Sequence, residues 1–375
     1  MPGALMQLVH TGREDAHLTA KPEITFFKIV YRRYTNFSME SIDQTIQGSA
    51  QLGGHFSVTI ENVGDLAYRS YLQIPLKYKL NTNTPEVRVS DIIDYVEVRV
   101  GDQYIDRHYG HWLDIWNELT QEPGKKKAWD LMTGVTSTNT NIHVDTNQDL
   151  KIMYVPLAFW FCRSPGLAVP LISLPYHDVT LHFHLKSSSV VELYKGGDSE
   201  QYNQIKVYVD QIFLDNEEKQ RFAANRHEYL IEQVQYHQTD LKTSTEIIAS
   251  HPVKSIVWRC EDSNGDPTFN PENNETTLTF NGSERFYRRS DKYFSLVQNY
   301  QSFPNIPDQS KAIQTYNFGF KPYEHQPSGT CNMSRLKTVR MRATNPPSEH
   351  KLNYYTLNYN ILGIMSGQGA LLYKA

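Results

Sequence analysis

Short segments that alternate apolar and polar residues run the length of the chain, and they come twice in the same order. Residues 54–61 put Phe56, Val58 and Ile60 on one face, and residues 95–105 read as strand, turn and strand, with Val96, Val98 and Val100 together before Gly101-Asp102. A side-chain period of two is what a half-buried strand requires. Further strands are expected at 152–162, 179–185, 205–214, 255–259, 315–320, 337–342 and 353–364. Many short strands between turn signals restrict the chain to sandwiches or barrels. The 24 tyrosines agree, since their rings pack across a pleated surface.

The order of these segments points to one β-domain used twice. Val96-Glu97-Val98-Arg99-Val100-Gly101-Asp102 is echoed by Thr277-Leu278-Thr279-Phe280-Asn281-Gly282-Ser283. Phe159-Trp160-Phe161, Pro165-Gly166 and Val179-Thr180-Leu181 are echoed by Phe318-Gly319-Phe320, Pro327-Ser328-Gly329 and Val339-Arg340-Met341. Ile205-Lys206-Val207-Tyr208-Val209 is echoed by Tyr355-Thr356-Leu357-Asn358-Tyr359. Each echo is weak alone; the shared order carries the inference. The charged run Asp215 to Arg221 sits between the halves and reads as a short solvated helix or linker.

One helix is expected inside the first half, at residues 108–121. Trp112, Ile115, Trp116 and Leu119 fall on one stripe, and Pro123-Gly124 stops it. That stripe is expected to pack against the first sandwich. His111, Asp114 and Glu118 share the polar face, which is expected to be solvated.

The formal charge of −4 offers no overall attraction to a nucleic-acid backbone, so no direct nucleic-acid binding is expected. Three cysteines, Cys162, Cys260 and Cys331, are too few and too scattered for a disulfide framework or a zinc site, and suit a reducing cytosol. No apolar run is long enough for a signal peptide or a membrane helix. The sequons at Asn36, Asn274, Asn281 and Asn332 therefore read as chance matches.

His182-Phe183-His184 is the arrangement closest to a metal site, because residues i and i+2 of a strand share a face. The next carboxylate is Glu192, beyond a serine-rich run, so no third ligand is placed and the pair is rejected as a metal centre. Phosphate-loop and nucleophile-elbow patterns are missing. His10, Asp15 and His17 lie in an N-terminal arm too unconstrained for preorganised catalysis. The residues nominate no catalytic group and no cofactor.

Several blocks resemble a known family. They are Ile24-Thr25-Phe26-Phe27-Lys28-Ile29-Val30-Tyr31-Arg32-Arg33-Tyr34-Thr35-Asn36-Phe37, Pro165-Gly166-Leu167-Ala168-Val169-Pro170-Leu171-Ile172, Phe213-Leu214-Asp215-Asn216-Glu217-Glu218, and His227-Glu228-Tyr229-Leu230-Ile231-Glu232-Gln233. His325-Gln326-Pro327-Ser328-Gly329-Thr330-Cys331-Asn332 and Asn358-Tyr359-Asn360-Ile361-Leu362-Gly363 complete the set. In this order they resemble the major capsid proteins of nucleocytoplasmic large DNA viruses, the chlorovirus and mimivirus-like branch above all.

The resemblance implies an all-β double jelly roll, two tandem eight-stranded antiparallel sandwiches with short helices in the connections. It divides the chain into an arm (1–24), a first jelly roll (25–215) and a second (216–375). It implies a structural protein and no enzyme: a homotrimer forming a pseudo-hexagonal capsomer of an icosahedral shell, located in the virion and assembled in the host cytoplasm. Implied partners are copies of itself, neighbouring capsomers and minor capsid proteins beneath the shell, close to an internal membrane. Leu8, Val9 and Leu18 of the arm are expected to serve assembly, as are Arg32 and Arg33, which in the family end a core strand and are expected to form ion pairs. The alternatives are a minor or paralogous capsid protein of the same fold, or a glycan-binding β-sandwich. A cupin-type metalloenzyme would need the missing third ligand beside His182 and His184.

Overall fold

The computed structural model describes residues 3–78, 87–134, 151–194, 204–263, 265–268, 274–344, 346 and 349–374. The chain divides into two compact units, Met1–Asn36 and Phe37–Ala375.

The smaller unit holds two short helices, α1 (Gly3–Val9) and α2 (Ala16–Thr19), neither of which buries a residue. Ala4, Leu5 and Met6 are strong helix formers and no proline interrupts residues 3–19. Residues 20–36 carry no helix or strand. Arg32 and Arg33 are exposed and end no strand, which corrects the expected core strand at this position. The first strand begins at Phe37.

The larger unit is two antiparallel sandwiches in tandem, a double jelly roll. The first contributes β1 (Phe37–Gln44), β2 (Ile46–Gly48), β3 (His55–Thr59), β4 (Leu66–Tyr78), β5 (Ile93–Val100) and β6 (Gln103–Tyr109). After two helices come β7 (Lys151–Pro156), β8 (Val169–Pro170), β9 (Val179–Leu185), β10 (Val191–Leu193) and β11 (Lys206–Leu214). One sheet runs β1-β11-β4-β10, with β7 and β8 also on β4; the other runs β2-β3-β9-β5-β6.

The second sandwich contributes β12 (His227–Asp240), β13 (Ser244–Glu246), β14 (Pro252–Glu261), β15 (Pro267–Thr268), β16 (Glu275–Phe280) and β17 (Ser283–Glu284). It continues with β18 (Arg289–Ser290), β19 (Gln314–Asn317), β20 (Cys331–Asn332), β21 (Val339–Ala343), β22 (Lys351–Met365) and β23 (Gln368–Leu371). Its sheets run β12-β22-β14-β15, with β19 and β20 on β14, and β13-β21-β16-β17, with β18 on β16. The central strands follow one order twice: β1-β11-β4 with β7 and β8 matches β12-β22-β14 with β19 and β20, and β3-β9-β5 matches β13-β21-β16, while the edge strands differ. Short strands such as β2, β8 and β10 take the first sandwich past the expected eight, and β15, β20 and β23 do so in the second.

The likeness extends to register. In the first sandwich β4 and β11 slip across a bulge between the pairs Ser70–Val209 and Ala67–Gln211. In the second, β14 and β22 slip at the same place, between Ile256–Thr356 and Val253–Asn358. Ala67 and Val253 also pair with the equivalent short strands, through Val169 and Cys331. A bulge kept in both copies is a designed bend.

Alternation decides which side chains enter the cores. Phe56, Val58, Val96, Val98, Leu181 and Phe183 fill the first with Leu72, Ile74 and Val207. Ile256, Trp258, Leu278, Met341, Leu352 and Tyr354 fill the second. The segment 152–162, expected as one strand, breaks after Pro156 and turns into the helix Trp160–Arg163. Proline ends the ladder there because it has no N–H to give.

Four helices of this unit matter below: α3 (Val89–Ile92), α4 (Gly110–Thr120), α5 (Pro123–Thr133) and α6 (Trp160–Arg163). Between the sandwiches lies α7 (Asn216–Ala224), which buries nothing and is capped by the Asp215 carboxylate, with Glu217 and Glu218 in its first turn. This is the solvated connecting helix that the charged run predicts. Residues 291–302 are also helical, a π-helical stretch (Tyr293–Val297) leading into α8 (Gln298–Ser302).

Candidate assembly surfaces

The seam between the two sandwiches is built mainly by α4. Trp112, Ile115, Trp116 and Leu119 are all buried, and they pack with Val234, Val257, Ile313, Tyr355 and Leu357 of the second sandwich. The stripe is therefore buried as expected but against the other half of the chain, while Leu113, on the neighbouring face, enters the first core. The helix starts at Gly110 because a Cβ there would lie 2.2 Å from the Ile93 carbonyl. Only glycine lets β6 turn into a helix so close to β5.

The polar face of α4 is also covered, which corrects its expected solvation. His111 Nδ1 lies 2.5 Å from the Tyr355 hydroxyl and its ring packs on Tyr109 and Tyr236. Burial, with Arg259 and Lys186 adding repulsion, pushes its pKa down to about 3, so the ring is neutral. Asp114 accepts the Ser90 N–H at 3.2 Å, and burial lifts its pKa to about 6. Glu118 is held by Lys126 of α5 at 2.7 Å.

Beside α4 lies a buried ion cluster. Glu232 of β12 and Lys254 of β14 meet at 2.5 Å, both almost fully buried. Arg163 of α6, from the first sandwich, also binds the Glu232 carboxylate and lays its guanidinium over Trp116, 4.4 Å from the ring centre. His325 stands 3.8 Å from the same carboxylate. Burial lowers the Lys254 pKa to about 8 against the pull of Glu232. Glu232 lies in the block His227–Gln233 and Lys254 in no motif, and neither carries a sequence signal for their pairing across a sheet.

A second clasp is the β22–β23 hairpin. Gly367 takes φ +78 against Pro175 and Tyr176 of the first sandwich, and Tyr176 donates its N–H to the Gly367 carbonyl at 3.2 Å. Asp106 accepts the Val234 N–H at 3.0 Å on the same side.

His182 and His184 do share one face of β9, as their spacing requires. His184 stacks on Tyr95 at 4.2 Å and on His55 at 5.6 Å. Glu97, which sits across from His182, is bound by Arg99 and Arg107, each at 2.5 Å. Burial pushes that carboxyl up, yet the bonds from Arg107 and Arg99 leave it below its ordinary value. The carboxylate opposite His182 is thus committed to arginine, and among the described residues no group of three potential ligands converges. Leu8, Val9, Leu18, Arg32 and Arg33 are all exposed in the smaller unit. Cys162, Cys260 and Cys331 are free thiols. Among the described residues no helix is long and apolar enough to cross a membrane.

Two family models match in tandem: "Major capsid protein N-terminus" over residues 25–215 and "Large eukaryotic DNA virus major capsid protein" over residues 218–370. The chain is 39% identical to the major capsid protein of Pyramimonas orientalis virus and 34% identical to that of Paramecium bursaria Chlorella virus 1, each alignment covering all of both chains. Among solved structures, the capsid of Paramecium bursaria Chlorella virus 1 matches with a TM-score of 0.80 and 32% identity, over 94% of this chain and 100% of that one. The Faustovirus major capsid protein, at 12% identity and a TM-score of 0.73 over 96% of each chain, shares the fold. The chain belongs to the major capsid protein family of large eukaryotic DNA viruses, and it is a structural component of the capsid shell and no enzyme.

Proposed function

We propose that the chain assembles as a homotrimer whose six jelly rolls form a pseudo-hexagonal capsomer, and that these capsomers tile the icosahedral shell of a large DNA virus. The observation that supports this most is the repeat itself: two sandwiches share one strand order and one bulge position and are locked side by side through α4. Three such chains around a threefold axis supply six like units, and identical subunits close most simply by rotation. The apolar cluster around α4 joins the two sandwiches within the chain.

On this reading residues 25–215 and 216–375 act as the two capsomer units, and residues 1–24 serve as an arm toward minor capsid proteins beneath the shell and an internal membrane. Exposed apolar residues of the smaller unit, Leu8, Val9 and Leu18 among them, suit a segment that orders against partners on assembly. Arg32 and Arg33 would pair with carboxylates of those partners, since the guanidinium fork binds them bidentately. Neighbouring capsomers are the remaining partners, and assembly takes place in the host cytoplasm. Light scattering on the purified chain tests the reading: a mass of about three times 43.4 kDa is expected, and a stable monomer at micromolar concentration overturns it.

A further inference from the structure

We infer that the exposed side chains Leu296, Val297 and Tyr300 dock on the outer face of the β1-β11-β4 sheet of a second copy, around Tyr71, Tyr154 and Tyr208, repeating between copies the helix-on-sheet contact that α4 makes within one chain. The inference rests on the trimer proposed above and names the surfaces that join its subunits.

Register fixes the correspondence on the helix side. In the first sandwich β5 and β6 end their pairing at Val96–His108 and Tyr95–Tyr109, and α4 begins at the next residue, Gly110. In the second, β16 and β18 end theirs at Thr276–Arg289 and Glu275–Ser290, and the helix begins at Asp291. Counting forward from these starts, Leu113 matches Phe294, and each is buried in the core of its own sandwich. The same count pairs Trp112 with Tyr293, which packs against its own core, and matches Ile115, Trp116 and Leu119 with Leu296, Val297 and Tyr300. The first three are buried at the seam; the second three are 37%, 41% and 77% exposed. One copy of the repeat thus has its interface covered, and the other presents an apolar patch at the same place.

Register also locates the surface that would cover it. The bulge and the short-strand pairing align Ala67 with Val253, which sets Tyr71 opposite Val257 in the comparison. The seam row Tyr236–Tyr355–Val257 then corresponds to Asp43–Tyr208–Tyr71. Tyr71 pairs with Pro156 as Val257 pairs with Thr315, so Ile313 corresponds to Tyr154. Three residues that receive α4, namely Val257, Ile313 and Tyr355, are therefore represented in the first sandwich by three tyrosines. These lie in contact, with Tyr71 stacked on Tyr208 at 5.0 Å and tilted toward Tyr154 at 6.4 Å, and all are half-buried on the side away from the core. Large rings with polar tips suit a surface that meets water before assembly and a helix afterwards.

Charge follows the same correspondence. His111, next to Tyr236 at 4.8 Å within the chain, matches Lys292; Tyr236 matches Asp43. Lys292 and Asp43 are both exposed and opposite in sign, and Asp43 also accepts from Lys206 of its own chain at 2.8 Å. A contact joining different surfaces of identical subunits is heterologous and closes only as a ring. With two like units per chain, a step of one sixth of a turn closes it at three chains.

The test uses the full-length chain. Val297→Asp and Tyr71→Asp, made separately, should each convert trimer to monomer by light scattering, raising the dissociation constant by about 100-fold or more, as burying an unpaired carboxylate at an interface centre demands. Unfolding temperature of the monomer controls for misfolding. A second measurement does not depend on folding of either aspartate variant: co-expressed copies carrying Val297→Cys and Tyr71→Cys should give a covalent two-chain product with a short bis-maleimide, above the background of the native thiols. Copies carrying only one of the two should not. A trimer that persists in both aspartate variants, with no mixed cross-link, overturns this surface while leaving the trimer standing. A native chain that is itself monomeric overturns the trimer and this inference together.

Discussion

The Tyr355 hydroxyl lies 2.5 Å from His111 Nδ1, tying a strand of the second sandwich to a helix of the first. With the ring neutral, Nδ1 and the phenol share one hydrogen bond and His111 spends no charge in the seam. The bond brings together residues that no local pattern connects.

This pairing gives a pH dependence with a definite sign. The folded His111 pKa is near 3, below the ordinary value of 6.5 that the unfolded chain has. Between these values the unfolded chain binds the extra proton, so His111 makes stability fall as pH drops below about 6.5, by at most about 1.4 kcal/mol per pH unit. Asp114 works oppositely: its folded pKa near 6 lies above 3.8, so the folded chain binds the proton first and gains stability as pH drops below about 6. His111→Phe should therefore lower stability at pH 7, where the bond is lost, and should lower it less at pH 4.5. Denaturant titrations of both proteins at the two pH values check this; equal losses at both would show that His111 protonates freely in the folded chain.

Trp116 should be a large contributor to the seam. It is buried with Trp112 stacked 5.6 Å away and Arg163 over its ring. Trp116→Ala should destabilise the chain by about 3–5 kcal/mol, the usual cost of removing a large buried ring. Because the contact joins the two sandwiches, the loss should also uncouple them, seen as two unfolding transitions in place of one by calorimetry. An unchanged single transition would mean that α4 does not hold the halves together.

The Glu232–Lys254 pair predicts an asymmetry between single and double substitutions. Glu232→Ala leaves Lys254 buried without its carboxylate and should cost about 3–5 kcal/mol. Replacing both, as Glu232→Leu with Lys254→Met, removes the Lys254 charge and should recover part of that loss, the remainder lying with Arg163, which loses the same carboxylate and keeps the Ala158 carbonyl at 3.2 Å. Urea midpoints of the two single variants and the double measure the coupling. Additive losses would indicate that the pair is solvated and worth little.

What could be read from the sequence follows from which faces are covered. Phe56, Val58 and Ile60, or Val96, Val98 and Val100, alternate because one side of their sheet meets the core and the other does not. β22 does not alternate: residues 352–360 are buried without interruption, since one face meets its own core and the other meets α4. The Trp112 stripe announced a buried face, but periodicity carries no information on which partner covers it, and Tyr355 is far away in the chain. His111, Asp114 and Glu118 were misread for the same reason: a polar helical face is solvated only where nothing distant folds over it. Arg32 and Arg33 show the reverse failure, a motif whose segment forms no strand in the chain alone.

The arm gives the last prediction. α1 and α2 bury no residue, and Leu8, Val9, Leu18, Phe26, Phe27 and Ile29 are all exposed. Helices this short are marginal in water, because nucleation costs more than a few turns return. The unit Phe37–Ala375 holds both sandwiches and their cores. Deleting residues 1–20 should therefore leave the unfolding temperature and the trimer mass unchanged, while incorporation into shells falls when the truncated chain competes with the intact one. Exposed apolar side chains without a core to fill are most simply explained by a partner that covers them on assembly. Unchanged incorporation would remove the arm from assembly, and loss of the trimer on deletion would move it from the shell contacts to the seam between subunits.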